Sequence, residues 1–342
     1  MNIGVLTGGG DCPGLNAVIR AVVRRGDQFG YEFTGIRDGW RGLVESETVK
    51  MTPEFVSGLL PVGGTKLGTS RTNPLKSEKD TAAVINNIKQ LKLDALICIG
   101  GDDTLGVATK LFQKGIKTIG VPKTIDNDLS GTDFTFGFDT AVSIVAWSLD
   151  RLHTTTEAHH RAMVVEVMGR HAGWIAVYGG IAGGANVILI PEKPFDITEV
   201  CSYIDKRRQR GKCSSIVVAA EGAYPKEAGG MITKDKALDA FGHAKLGGVG
   251  EFLAKEIENR TGIESRHVVL GHLQRGGTPT AYDRILATRF GVKAVELIHE
   301  GRFGRMVALQ GNAITDISLA DATSKTKTVD AESLRIAEIF LG

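Results

Sequence analysis

Short apolar runs rich in β-branched residues recur along this chain, separated by stretches in which apolar residues return at helical spacing. The runs are 3–6, 31–36, 95–99, 118–121, 162–167, 187–190 and 215–220, most of them closed by Gly, Pro or a charged residue. Runs of this length without apolar–polar alternation predict strands buried on both faces, as in a parallel sheet. Helical spacing predicts helices over 16–25, 81–91, 105–114, 140–152, 249–259 and 281–299, with a further capped helix from Thr52. Strand alternating with helix makes the fold class α/β, built from right-handed crossovers. Residues 172–191 carry no charge and are long enough to span a bilayer. Gly173, Gly179, Gly180, Gly183, Gly184 and Asn186 interrupt them, so a buried helix, a glycine turn and a strand are expected, not a membrane span. Residues 224–246 read as an excursion, and the end of the chain as a short tail.

Two loops follow neighbouring strands: Gly100-Gly101-Asp102-Asp103-Thr104 and Pro122-Lys123-Thr124-Ile125-Asp126-Asn127-Asp128. A right-handed crossover puts both at the carboxyl edge of one sheet, where open α/β sheets bind ligands. Four carboxylates, one lysine and two glycines therefore converge on one crevice. Glycines let phosphate oxygens approach the backbone, and an aspartate can hold Mg²⁺. The lysine neutralises phosphate, and a carboxylate set slightly apart can take a proton from an attacking hydroxyl. These are the parts of a phosphoryl-transfer site.

Other loops add to the same chemistry. Thr7-Gly8-Gly9-Gly10-Asp11-Cys12-Pro13-Gly14 feeds a helix N-terminus, which is an anion site. It is not a dinucleotide fingerprint, because Pro13 stands where the last glycine of G-x-G-x-x-G belongs; a nicotinamide dehydrogenase is disfavoured. The loop 63–74 carries Lys66 and Arg71 beside small residues, and residues 266–279 gather two arginines and two histidines, a set suited to a phosphate monoester. Arg161 and Arg170 flank one strand at opposite ends and should serve different places. His159-His160 is poor metal spacing, and the basic run from Lys206 to Lys212 reads as a solvated helix end.

Composition narrows the classes. Of 342 residues, 41 are Lys or Arg and 39 Asp or Glu, so no bulk attraction to nucleic acid or membrane is expected. The length suggests about two domains, and 44 glycines suit many tight strand-to-helix turns. Cys12, Cys98, Cys201 and Cys213 form no C-x-x-C or zinc pattern. Met1-Asn2 leads into a strand without a basic leader. A reducing cytoplasm is the expected compartment.

With these motifs in order, the chain resembles the 6-phosphofructokinases over nearly its whole length. The resemblance rests on Thr7-Gly-Gly-Gly-Asp-x-Pro-Gly-x-Asn16, Gly100-Gly-Asp102, Thr124-Ile-Asp-Asn-Asp128, Met168-Gly-Arg170, Glu221 and Gly271-His-x-Gln-Arg-Gly-Gly277. It implies two Rossmann-like three-layer α/β/α domains with the active site in the cleft between them. Residues 1–137 plus 275–322 would handle the phosphoryl donor and Mg²⁺, and 138–274 plus 323–342 fructose 6-phosphate. Asp126 would be the base for the 1-hydroxyl of fructose 6-phosphate, Asp102 would hold Mg²⁺, and Asp128 would support the loop. Gly10, Arg71, Thr104 and Thr124 would contact the donor. Met168, Gly169, Arg170, Glu221, His272 and Arg275 would contact the sugar phosphate, Arg170 also stabilising charge on the transferring group. Arg161 and Arg266 would reach the 6-phosphate of a neighbouring subunit, implying a homo-oligomer.

Asp103 and Lys123 bear on the donor. Nucleotide-using members typically have Gly at both positions, and the Asp–Lys pair is similar to the pyrophosphate-dependent branch. A like-charge contact at ~4 Å between Asp103 and an α-phosphate costs about 4 kcal/mol at an effective dielectric near 20, or up to roughly a thousandfold in affinity. Lys123 would instead neutralise pyrophosphate. The expected reaction is reversible transfer from pyrophosphate to fructose 6-phosphate, in glycolysis or gluconeogenesis. ATP is the alternative donor, and a non-catalytic sugar-phosphate sensor the remote one. Arg20, Arg24, Arg210 and Lys212 match the cations of the family's effector pocket. Val62, His153 and Asn186 depart from it, so weak or absent control by nucleotide diphosphates or phosphoenolpyruvate is expected.

Overall fold

A computed structural model describes residues 1–238, 240–242 and 244–340. The first elements are β1 (Asn2–Thr7), α1 (Leu15–Asp27), β2 (Glu32–Ile36), α2 (Trp40–Glu45), β3 (Thr48–Met51), α3 (Glu78–Gln90), β4 (Ala95–Gly100), α4 (Asp102–Gln113) and β5 (Thr118–Pro122). Next come α5 (Phe138–Ala158), β6 (Ala162–Val167), α6 (Trp174–Ala182), β7 (Val187–Leu189), α7 (Ile197–Gln209) and β8 (Ser215–Ala220). A hairpin of β9 (Thr233–Leu238) and β10 (Ala244–Leu246) precedes α8 (Val249–Thr261), β11 (Ser265–Val269) and α9 (Ala281–His299). The chain returns through β12 (Arg305–Gln310), β13 (Ala313–Ser318), α10 (Leu319–Ala322) and α11 (Ala331–Ile339).

The strands form a seven-stranded sheet, β13-β12-β5-β4-β1-β2-β3, and a four-stranded sheet, β11-β6-β8-β7. The five inner strands of the first are parallel, and only its edges β3 and β13 are antiparallel. The second is parallel throughout. Side chains on successive strand residues point to opposite faces, and that alternation builds the layers. In the first sheet Ile3, Val5, Ile97 and Ile99 pack with α1 and α9, while Leu6, Leu96 and Cys98 pack with α2, α3 and α4. In the second, Val165, Val167 and Val218 face α5 and α6, while Val164, Val217 and Ala219 face α7 and α8. One apolar cluster contains both the α1/α9 face of the first sheet and the α5/α6 face of the second. Each sheet is thus the middle of an α/β/α sandwich.

The residues after Thr52 do not form the expected helix. The Phe55 N–H donates to the Thr52 hydroxyl at 3.2 Å as in a helix cap, and one i→i+4 bond follows. Gly58 then adopts a left-handed φ of 73°, and the segment continues as turns. The short tail is also corrected: β12 and β13 complete the first sheet beside β5, followed by α10 and α11. β3, β11 and β13 escape an apolar-run test because they are edge strands with mostly part-exposed residues. Residues 172–191 fold mainly as α6 and β7, and among the described residues no helix is long and apolar enough to cross a membrane. Positions 239 and 243, within the expected excursion, lie outside the described residues.

Candidate active site

β1, β4 and β5 are adjacent and parallel, so their three following loops meet at one carboxyl edge. The Gly8 N–H donates to Ile99 O at 2.9 Å and the Lys123 N–H to Gly100 O at 3.0 Å, continuing the ladder into those loops. A cleft there is lined by Gly9, Gly10, Gly101–Thr104, Lys123, Thr124, Asp126 and Asp128, with Arg170 and Arg275 from the loops of the second sheet. Thr104 packs where Gly8 and Gly100 leave room: a Cβ on either would lie 2.5 or 2.3 Å from its side chain.

Lys123 is buried, and its Nζ donates to Gly10 O at 2.5 Å. Burial holds this ammonium below the usual lysine range, a trend opposed by Asp126 and Asp102 among others. Arg275 donates to Asp11 O at 3.2 Å, and a Cβ on Gly10 would lie 2.7 Å from its Nη1. Two cations therefore flank one glycine peptide, the arrangement of an anion cradle.

Asp126 is buried at the end of the second loop. Its N–H donates to Thr124 Oγ1 at 3.0 Å, while its Oδ1 has no partner among the described residues. The loop is closed from behind: Thr135 Oγ1 donates to Thr124 O at 2.7 Å, and the Thr135 N–H donates to Asn127 Oδ1 at 3.1 Å. Asn127 adopts a left-handed φ of 52°, a conformation Asn tolerates. The Asp128 carboxyl is pushed up to about 7, by burial first and then by the charges of Asp126 and Asp102. Glu221 rises to about 7 for the same leading reason, with Asp126 next.

Across the cleft, Glu221 Oε1 accepts the Arg170 N–H at 3.3 Å. Arg170 itself has φ 51°, beside Gly169 at φ 148°. Gly222 must be glycine, because a Cβ would lie 2.0 Å from Arg170 O. The Met168 N–H donates to Gln274 Oε1 at 2.9 Å. Gln274 is fully buried, and its Nε2 has no partner among the described residues. Sequence reasoning assigned this glutamine no role, although its place between His272 and Arg275 was the available signal.

Other expected site residues lie apart. Arg71 is exposed on the 63–74 loop and does not line the cleft. Asp102, by contrast, lines the cleft but is exposed at its mouth, and His272 is exposed on the turn Gly271–Arg275. Arg161 and Arg266 lie at the amino end of the second sheet, opposite Arg170. Both pair with Glu264, Arg161 Nε at 2.8 Å. Two departures from the effector pattern have structural partners: Asn186 Oδ1 accepts the Ile216 N–H at 2.9 Å, and His153 Nε2 lies 2.7 Å from Gly183 O.

Among the described residues no three His, Cys, Asp or Glu side chains are grouped to hold a metal alone. Asp102 with its neighbouring carboxylates offers hard oxygen donors, which fits Mg²⁺ held jointly by one or two carboxylates and phosphate oxygens.

A family model described as Phosphofructokinase matches residues 2–298. Over the full length of both chains, 60% of residues are identical to pyrophosphate–fructose 6-phosphate 1-phosphotransferase from Streptomyces coelicolor. ATP-dependent 6-phosphofructokinase 3 from the same organism is 52% identical, again over the full length of both. The crystal structure of pyrophosphate-dependent phosphofructokinase from Marinobacter aquaeolei matches with a TM-score of 0.83 and 25% identity, over 97% of this chain and 86% of that one.

Proposed function

Because this chain belongs to the phosphofructokinase family, we propose that it transfers a phosphoryl group from pyrophosphate to the 1-hydroxyl of fructose 6-phosphate. The products are fructose 1,6-bisphosphate and phosphate, and the reaction is reversible. The observation that carries the chemistry is the buried Asp126 carboxylate, with one oxygen unpartnered, in a cleft shared with Lys123, Arg170 and Arg275. That oxygen takes the proton of the 1-hydroxyl, whose oxygen attacks the terminal phosphorus in line. Lys123, Thr124 and Arg170 stabilise charge on the transferring group, and Asp128 supports the loop. Gly10, Thr104 and Arg71 meet the donor, Arg71 by movement of its exposed loop. Asp102 would hold Mg²⁺, which supplies charge neutralisation on the phosphate oxygens when bound.

The sugar phosphate is received by Met168, Gly169, Arg170, Glu221, His272 and Arg275. Residues 1–137 plus 275–322 form the donor domain, and 138–274 plus 323–342 the sugar-phosphate domain. Arg161 and Arg266 lie at the far end of β6 and β11 from this cleft, which supports their serving a neighbouring copy in a homo-oligomer. Four cysteines without a disulfide suit the cytoplasm.

Pyrophosphate is favoured by Asp103, whose carboxylate in the first turn of α4 opposes an α-phosphate, and by Lys123. ATP is the second reading, on the observation that an ATP-dependent relative is 52% identical. Initial rates of fructose 1,6-bisphosphate formation with Mg²⁺ and either donor decide between them. Turnover with ATP alone overturns the donor and keeps the family.

A further inference from the structure

The segment from Lys325 to Val329 runs between the catalytic loop and the start of α6. The Lys327 N–H donates to Asp128 O at 2.7 Å, and its own carbonyl accepts from Trp174 Nε1 at 3.0 Å. Its Nζ donates to Thr132 O at 3.0 Å and Asp133 O at 2.6 Å, and lies 5.0 Å from the Trp174 ring centroid. Asp133 O also accepts from Asn127 Nδ2 at 3.3 Å, so the lysine shares the contact that closes the catalytic loop. Ser130 Oγ donates to Lys325 O at 2.9 Å, and Leu129 pairs with Thr326 in a β-bridge. On the other side, Glu192 Oε1 accepts the Val329 N–H at 3.0 Å and the Gly173 N–H at 2.9 Å.

This one segment thus fastens the loop after β5, in the first sheet, to the loop after β6, in the second. The first carries Asp126 and Asp128; the second carries Arg170. We propose that residues 325–329 are a strap that sets the catalytic loop against the Arg170 loop, with Lys327 as the positioning residue. The role rests on the phosphoryl transfer proposed above. An ammonium bonded to two carbonyls makes charge-assisted bonds, about twice the strength of neutral ones. Without them the backbone bond to Asp128, the Ser130 and Leu129 contacts, and Asn127 and Thr135 still hold the loop, but the strap no longer bonds the carbonyls of Thr132 and Asp133. A displacement near 1 Å of a reacting group costs on the order of a hundredfold in rate.

The test uses Lys327→Met, Lys327→Arg and Ser130→Ala in the full chain, assayed well below the unfolding temperature of each. Lys327→Met should lower kcat about ten- to a hundredfold, with each KM within roughly threefold. Lys327→Arg should recover most of the loss, and Ser130→Ala should show a smaller drop. Amide exchange over 126–135 should accelerate in Lys327→Met, a readout independent of the reaction. A lowered unfolding temperature with wild-type kcat and unchanged exchange would make the strap purely structural and overturn the proposal. Absence of turnover in the wild-type chain would overturn the assigned reaction, while the exchange result would still decide the strap. If Lys327→Met does not fold, wild-type kcat and exchange in Ser130→Ala overturn it.

Discussion

The Lys123 ammonium sits 2.5 Å from the Gly10 carbonyl oxygen, so the cation that follows β5 is anchored on the glycine turn that follows β1. A lysine held this way is fixed in position in the cleft that Asp103 also lines. Replacing both by glycine removes the carboxylate and the cation to which the proposed donor preference is assigned. The double variant Asp103→Gly, Lys123→Gly should lose about tenfold or more in kcat/KM for pyrophosphate and gain by a similar factor for ATP, each tenfold being about 1.4 kcal/mol. Donor-specific kcat/KM values check this, and an unchanged donor ratio rejects the assignment of these two residues.

Asp126 keeps a buried oxygen without a partner among the described residues, as required of a base awaiting a hydroxyl proton. Asp126→Ser should lower kcat by about 10²–10⁴-fold. Fructose 6-phosphate affinity, measured by calorimetry, should stay within a few-fold, because that group is assigned to proton transfer and not to holding the phosphate. A near-normal kcat would remove Asp126 from the mechanism.

Much of this site is legible in the sequence because its parts follow buried strands. β4, β5, β6 and β8 are short, mostly apolar runs, buried throughout, and Asp102, Lys123, Asp126, Arg170 and Glu221 lie within a few residues of their ends. What escapes is held by contacts remote in sequence. Gln274 reaches Met168 across 106 positions, and Lys327 reaches Asp133 across 194. Neither glutamine nor lysine announces such a partner by spacing. The edge strands β3 and β13 escape because part-exposed residues carry no continuous apolar signal. Arg71 belongs to a loop whose composition suggests an anion contact but does not fix where its exposed side chain lies.

Asp128 makes stability depend on pH in a stated direction. Its carboxyl titrates near 7 in the folded chain against 3.8 without burial. The folded state therefore binds more protons between those values, and the stabilisation is complete below 3.8 and lost as pH rises through 7. Asp128→Asn removes the buried charge that emerges there. Relative to wild type it should gain at most about 4 kcal/mol above pH 7 and little near pH 4. Glu221 shifts the same way, so the variant should retain part of the slope. Urea unfolding at pH 5 and 8 without Mg²⁺ checks the sign; a larger gain at pH 5 would contradict it.

Arg161 and Arg266 converge on Glu264 at the end of the second sheet away from Arg170, so within one chain they cannot join the cleft without leaving the strands that hold them. If they complete a neighbour's site, Arg266→Ala and Asp126→Ser fail in different halves of a shared site. Each homo-oligomer should be nearly inactive. A hybrid places an intact Asp126 opposite an intact Arg266 in one of its two shared sites. Refolding equal amounts together makes about half of the pairings hybrid, so activity should recover to roughly a quarter of wild type for a two-fold interface. Mixing the two variants without refolding, under conditions where subunits do not exchange, should give no recovery. Refolded mixtures that stay inactive would place Arg266 outside the neighbour's site, leaving its pairing with Glu264 as a local contact at the start of β11.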